Sequence, residues 1–158
     1  MPIIEDKKKR KEILALLTAA YWMEIETVMN YISASVNLDG VRAEEIKKSL
    51  AADVTAELGH AQQFARRIKN LSGITPGSYD FKATQKSLQP PGETTNVVHV
   101  IKGVIDAERG AIDHYTKIIK ASEGVDYVTQ DMVITILGDE QDHLREFEGF
   151  LKEYEKAS

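Results

Sequence analysis

The amino-acid sequence predicts an all-α protein, a four-helix bundle with one long crossover between its second and third helices. Three observations predict it. Apolar residues recur at steps of three and four through four long stretches, with little of the alternation that marks strands. Glycine and proline are sparse, 10 and 4 in 158 residues, and six of them fall between residues 73 and 92. Two of the three connections are short and the third exceeds 20 residues. Short loops make antiparallel hairpins, and a long crossover can run the length of a bundle.

The first helix is expected over about residues 6–36, its stripe running through Ile13, Leu17, Ala20, Val28 and Tyr31. Asn37-Leu38-Asp39-Gly40 reads as a turn. The second helix, about 42–71, carries Ile46, Leu50, Val54, Ala61, Phe64, Ile68 and Leu71, with Gly73 as its stop. Residues 73–95 contain Thr75-Pro76-Gly77 and Pro90-Pro91-Gly92 and are too broken for one helix. The third helix, about 96–121, carries Val97, Ile101, Val104, Ile112, Tyr115 and Ile119. After Ser122-Glu123-Gly124 the fourth, about 127–154, runs through Val133, Ile136, Phe147 and Leu151.

A chain of this length, 42% hydrophobic and 28% charged, fits one domain over residues 1–158. It can bury roughly 70% of its unfolded surface without a disulfide or structural metal. It has no cysteine, which excludes thiol nucleophiles, iron–sulfur clusters and Cys-ligated zinc. The N-terminal residues lack the apolar run of a signal peptide, and residues 13–23, the longest uncharged apolar stretch, fall short of the ~20 residues of a membrane span. A cytoplasmic protein without a membrane partner is the expectation.

One position on each stripe is glutamate. Leu17, Ala20, Glu24, Val28 and Tyr31 lie at steps of three and four, so Glu24 faces the core, while Glu26, roughly 200° further round, faces away. Glu57 lies between Val54 and Ala61, Glu108 between Val104 and Ile112, and Glu140 between Ile136 and Phe147. Four ionised carboxylates in a core are prohibitively costly unless protonated or neutralised by cations. Glu57 and Glu140 are each followed three residues later by histidine, His60 and His143, on the same helix face. Glu24 precedes Glu57 by 33 residues and Glu108 precedes Glu140 by 32; Tyr31 follows Glu24 by seven, as Tyr115 follows Glu108. The chain therefore holds two copies of Glu…Tyr…Glu-x-x-His, one per hairpin. Four glutamates balance two divalent ions, two neutral imidazoles complete the donor set, and oxygen–nitrogen ligands without sulfur suit iron or manganese.

These residues make the chain resemble the ferritin-like superfamily, bacterioferritin most closely, over about residues 10–154. The likeness is densest from Asp126-Tyr127-Val128-Thr129-Gln130-Asp131-Met132 through Ile136-Leu137-Gly138-Asp139-Glu140-Gln141-Asp142-His143. The resemblance implies a ferroxidase centre of Glu24, Glu57, His60, Glu108, Glu140 and His143. It implies two iron ions per chain, or manganese, bridged by Glu57 and Glu140. Glu24 with His60 and Glu108 with His143 would complete the two ends, with Tyr31 beside the centre. Leu58 stands where bacterioferritin carries its haem-ligating methionine, so no haem is expected. Only about 15 residues follow His143, too few for the fifth helix of 24-subunit cages, and the cysteines of rubrerythrin and of thiol-bearing archaeal ferritins are missing. What this implies is a homo-oligomer, a small shell of 12 subunits like that of the DNA-protection (Dps) branch, with a dimer as the fallback.

The activity implied is oxidation of Fe(II) by O₂ or H₂O₂ with storage of the product. The alternatives are a non-storage di-iron peroxidase or dimanganese catalase-like enzyme using the same ligands, and a binding protein whose site holds zinc or nothing. The basic run 7–11 reads as a solvated helix start; a DNA-contacting tail is its alternative, against which the net charge of −5 argues. His99 and His114 fall outside the repeat and read as surface or interface residues. Asp53 matches an acidic position associated with iron transfer in bacterioferritin but reads equally as a surface carboxylate. Tyr21 and Trp22 read as packing.

Overall fold

In the computed structural model, which describes residues 1–156, the chain forms four long helices: α1 (Lys7–Asn37), α2 (Glu44–Asn70), α3 (Val97–Ser122) and α4 (Tyr127–Lys156). Single 3₁₀ turns lie at Val41–Ala43 and Ser78–Asp80. Each helix boundary lies within two residues of its sequence expectation. No helix among these residues is long and apolar enough to cross a membrane.

The helix ends follow from local chemistry. Asp6 caps α1, its carboxylate accepting from the amides of Lys8 and Lys9 at 2.9 and 3.1 Å. The turn after α1 needs a glycine, since Gly40 sits at φ 96°. The end of α2 differs from expectation in one respect. Ser72, not Gly73, takes the left-handed position at φ 65°. The amide of Gly73 then bonds back to Ile68 and that of Ser72 to Lys69. Gly73 sits in close quarters instead, since a Cβ there would stand 2.7 Å from a methyl of Leu14 and 3.0 Å from the Ile68 carbonyl oxygen. Asp126 caps α4 through the Thr129 amide at 3.1 Å. The same carboxylate meets the Arg67 guanidinium from the end of α2 at 2.7 Å, and Arg67 Nε donates to Thr129 at 2.8 Å, so one buried network fastens the second hairpin to the first. Burial works to raise Asp126, but hydrogen bonds from Arg67 and Thr129 outweigh it and hold its carboxyl below the ordinary aspartate range.

The α1–α2 and α3–α4 hairpins pack side by side, and residues 72–96 run back along the bundle between α1 and α3. Thr75 is fastened to the Ala65 carbonyl at 2.9 Å near the end of α2, and the Thr94 carbonyl meets the amide of Asp39 beyond the far end of α1 at 3.0 Å. Midway, the crossover presses so closely on α3 that a Cβ on Gly103 would lie 2.6 Å from the Ser87 carbonyl oxygen. Glu26 explains why it runs there. Its carboxylate accepts from the amides of Thr84 and Gln85 at 2.8–3.0 Å. Glu26 thus faces away from the bundle axis, as its helical phase requires, yet is buried beneath the crossover.

The apolar core is divided. One cluster, including Tyr31, Leu38, Ile46, Leu50, Ile101, Val104 and Phe147, fills the end where α2 and α3 begin. A second, including Ile13, Leu17, Phe64, Ile68, Tyr115, Ile118 and Val133, fills the other end. Ile118 is the fully buried residue near the end of the α3 stripe; Ile119, expected there, is only partly buried. Between the two clusters lies a belt of ionisable side chains.

Candidate metal centre

Each helix delivers its belt residues by phase alone. Glu24 from α1, Glu57 and His60 from α2, Glu108 from α3 and Glu140 from α4 are buried, and His143 from α4 is 13% exposed. Their donor atoms form two groups, Glu24, Glu57, His60 and Glu140, and Glu57, Glu108, Glu140 and His143, with the chosen atoms of each group all within 4.8 Å of one another. Glu57 and Glu140 are common to both. Nδ1 of His60 lies 2.9 Å from Glu140, 3.7 Å from Glu57 and 3.8 Å from Glu24. Nδ1 of His143 lies 3.1 Å from Glu57, 3.8 Å from Glu140 and 3.9 Å from Glu108. The duplication in sequence becomes a pseudo-two-fold arrangement in space, with each histidine closest to a glutamate of the other hairpin.

The hydrogen-bond accounting carries the chemistry. Each of the six side chains has one buried atom that makes no well-aligned hydrogen bond and meets only the other five: an oxygen of Glu24, Glu57, Glu108 and Glu140, and Nδ1 of both histidines. Buried polar atoms without well-aligned hydrogen bonds are costly, and six converging on one pocket fit a shared cation site far better than a polar core. Without cations the pocket neutralises itself. Burial and the neighbouring Glu57 carboxylate push Glu24 well up, and burial with Glu140 does the same for Glu108, which favours their protonated forms. Burial opposes ionisation of Glu57 and Glu140 as well, but hydrogen bonds outweigh it and pull both down. For Glu57 these come from Glu24, His143 and His60; for Glu140 from Glu108, His143 and His60. The imidazoles are raised against the pull of burial, His60 by Glu140, Glu24 and Glu57, and His143, to about 11, by Glu140, Glu57 and Asp53. The opposite directions of these shifts work toward a pocket of low net charge.

Around the six stand their supports. Tyr31 on α1 donates to Glu108 on α3 at 2.6 Å, and Tyr115 on α3 donates to Glu24 on α1. Burial, then the nearby glutamates, hold both phenols well above their ordinary range, so they remain donors. Sequence reading singled out Tyr31 alone, although the repeat offered Tyr115 on the same footing. Asp139, which it passed over, lies 2.8 Å from Nε2 of His60. Asp53 stands 3.6 Å from Nε2 of His143, and burial pushes it up to about 6 despite that histidine. The accessible edge of the cluster lies here, between α2 and α4: Asp53 is 15% and Asp139 49% exposed, whereas the crossover covers the α1–α3 side.

The remaining candidates lie elsewhere. Leu58 is exposed on the outside of α2 and offers no ligand atom. His99 is exposed and donates to the Gln89 carbonyl, while His114 donates to the Leu16 carbonyl at 2.8 Å. Trp22 packs between Tyr21 and Phe81, ring centres 5.3 and 5.2 Å apart.

Comparison with known proteins identifies the family and the fold. A family model described as a ferritin-like domain matches residues 14–157. A bacterioferritin of Desulfovibrio desulfuricans is 27% identical over 145 residues, spanning 91% of this chain and 75% of that protein. A DNA protection during starvation protein of Pyrococcus furiosus is also 27% identical over 145 residues, 89% of this chain and 77% of that one. Among solved structures, a dodecameric thioferritin of Bacteroides fragilis superposes with a TM-score of 0.85 at 24% identity, covering 94% of this chain and 89% of that one. The D. desulfuricans bacterioferritin, solved with its diiron site in different catalytic states, gives 0.80 at 23% identity, covering 94% and 83%.

Proposed function

The chain belongs to the ferritin-like family, and from that premise we propose that it is an iron-oxidising and iron-storing protein. Fe(II) is the substrate, O₂ or H₂O₂ the oxidant, and a pair of iron ions per chain the working unit, with manganese the alternative metal. The observation that carries this reading is the convergence of six buried donor atoms that make no well-aligned hydrogen bond, one from each of Glu24, Glu57, His60, Glu108, Glu140 and His143.

The roles follow from position. Glu57 and Glu140, shared by both donor groups, would serve both ions, and Glu24 with His60 and Glu108 with His143 would hold the two ends. Two Fe(II) supply one electron each, matching the two electrons that take O₂ to H₂O₂ or H₂O₂ to water. This chain's residues do the rest. Their four carboxylates neutralise two divalent ions, the tyrosine hydroxyls fix Glu24 and Glu108 in orientation, and the apolar clusters above and below keep water from the pocket. Metal arrives at the α2–α4 edge, where His143 and Asp53 meet solvent.

Storage needs a hollow assembly, and the likeness to a dodecameric thioferritin supports a 12-subunit shell. Light scattering tests it, since 12 chains of 17.7 kDa give about 212 kDa and two give about 35 kDa. A shell that accumulates many Fe(III) per chain during Fe(II) oxidation supports storage. A stable dimer that turns over H₂O₂ without accumulating Fe(III) sinks it in favour of a peroxidase.

A further inference from the structure

The first turns of α1 go against their own helix. Cations are unfavourable at a helix N-terminus, where the backbone dipole is positive. Yet α1 begins Lys7-Lys8-Lys9-Arg10-Lys11, with no acidic residue in its first turn. These residues are not a free tail, since they are helical and Ile4, just before them, is buried. The end of α3 brings more positive charge alongside. Lys9, Glu12 and Leu16 of α1 face Lys117, Lys120 and Ala121 of α3 across a trough of about 470 Å³. Glu12, the acid of this lining, lies 3.8 Å from Lys9, and no acid within ion-pair distance is held by Lys117 or Lys120 among the described residues. Burial holds the His114 imidazole below its ordinary range, and the Lys117 charge lowers it further, although its bond to the Leu16 carbonyl works the other way. The trough is therefore electropositive.

Its shape and surroundings narrow the partner. Among the described residues no aromatic ring lines the trough, so nothing there would stack a nucleobase. The whole chain carries −5, which repels a polyanion broad enough to overlap the neighbouring surface. A thin, flexible chain of phosphates escapes both limits. We propose that the α1–α3 trough, with the basic start of α1, is a binding surface for a linear phosphate polyanion, inorganic polyphosphate rather than a nucleic acid. It does not depend on the metal centre.

The test is fluorescence anisotropy of end-labelled inorganic polyphosphate titrated with the full chain, without added iron, at about 50 and 200 mM salt. Binding is expected, with affinity falling as salt rises. Replacing Lys117 and Lys120 together by alanine should weaken it about 5–10-fold per lost cation near about 0.1 M salt and lower the salt slope by about 1.5–2. Lys117→Arg with Lys120→Arg should keep the affinity. Lys102→Ala should keep it too, since Lys102 stands at the other end of α3, 3.4 Å from Glu155. No binding by the parental chain, or binding that the double alanine variant retains in full, overturns the proposal. Orthophosphate that competes at equal phosphate concentration overturns it in favour of a single-anion site. Duplex DNA that competes as well as polyphosphate at equal charge overturns it in favour of a nucleic-acid surface.

Discussion

Tyr31 and Glu108 are joined by a 2.6 Å hydrogen bond that crosses from α1 of the first hairpin to α3 of the second. Both groups are buried, and Glu108 turns one oxygen to the pocket while the other accepts the phenol hydrogen bond. Tyr31→Phe removes the donor and leaves that oxygen unpaired, at a cost of about 1–3 kcal/mol. In the metal-free protein the melting temperature should fall by roughly 2–4 °C for each kcal/mol. A variant that melts with the parental protein refutes the importance of the bond.

Glu57 and Glu26 are both buried glutamates, yet their replacement should be read out in different experiments. Glu57→Ala, like Glu140→Ala, takes a shared donor from both groups and should abolish binding of both ions, measured by metal analysis after dialysis. Glu26→Ala should leave two ions per chain, because Glu26 touches only the crossover side of α1. It should instead loosen that crossover, exposing the amides around Thr84 and Gln85 to hydrogen exchange. Retention of two ions at parental affinity by Glu57→Ala would show that this residue does not bridge.

Metal uptake should release protons. In the metal-free pocket Glu24, Glu108, His60 and His143 are all shifted toward their protonated forms, and ligation requires all four to be deprotonated at the ligating atom. About four protons should therefore leave per pair of divalent ions near neutral pH, so affinity rises steeply with pH. Calorimetry in buffers of different ionisation enthalpy counts them. Release of fewer than two would contradict the charge distribution described for the pocket.

Asp126 should make stability acid-sensitive. Its carboxyl is held below the ordinary aspartate value of 3.8 by Arg67 and Thr129 in the folded chain. A depressed folded value stabilises the protein above the unfolded value, and the contribution is lost as pH falls through the folded one. Asp126→Asn leaves the buried Arg67 guanidinium uncompensated and should cost about 3–5 kcal/mol at neutral pH. The gap from the parental protein should narrow below about pH 4. Denaturant titrations at pH 7 and pH 3 measure it, and a gap independent of pH counts against the ion pair.

The helices and the belt were legible in the sequence because an α-helix converts spacing directly into direction. Glu24 and Glu26 differ by two residues, and that alone sends one into the pocket and the other away from it. What spacing does not encode is what lies on the far side. Glu26 is buried because the crossover, an irregular segment, comes to rest on it, and nothing periodic in residues 72–96 announces where Thr84 and Gln85 will lie. Asp139 escaped notice for a related reason. It sits beside Glu140 in the chain, and its partner His60 is 79 residues away on another helix. At the end of α2 the left-handed position falls on Ser72 rather than Gly73, a detail that spacing does not encode.

The division of the apolar core by a layer of acids and imidazoles makes that layer a vernier for the bundle. Aliphatic clusters tolerate sliding, since one leucine replaces another after a helix advances by a turn of about 5.4 Å. The belt does not: the same slip would drive Glu108 toward Val104 or Glu57 toward Ala61, stranding a carboxylate among methyl groups far from any imidazole. Alignment of the four helices is thus enforced by what must not be misplaced, and a chain with leucines in the belt would gain cohesion while losing its single register.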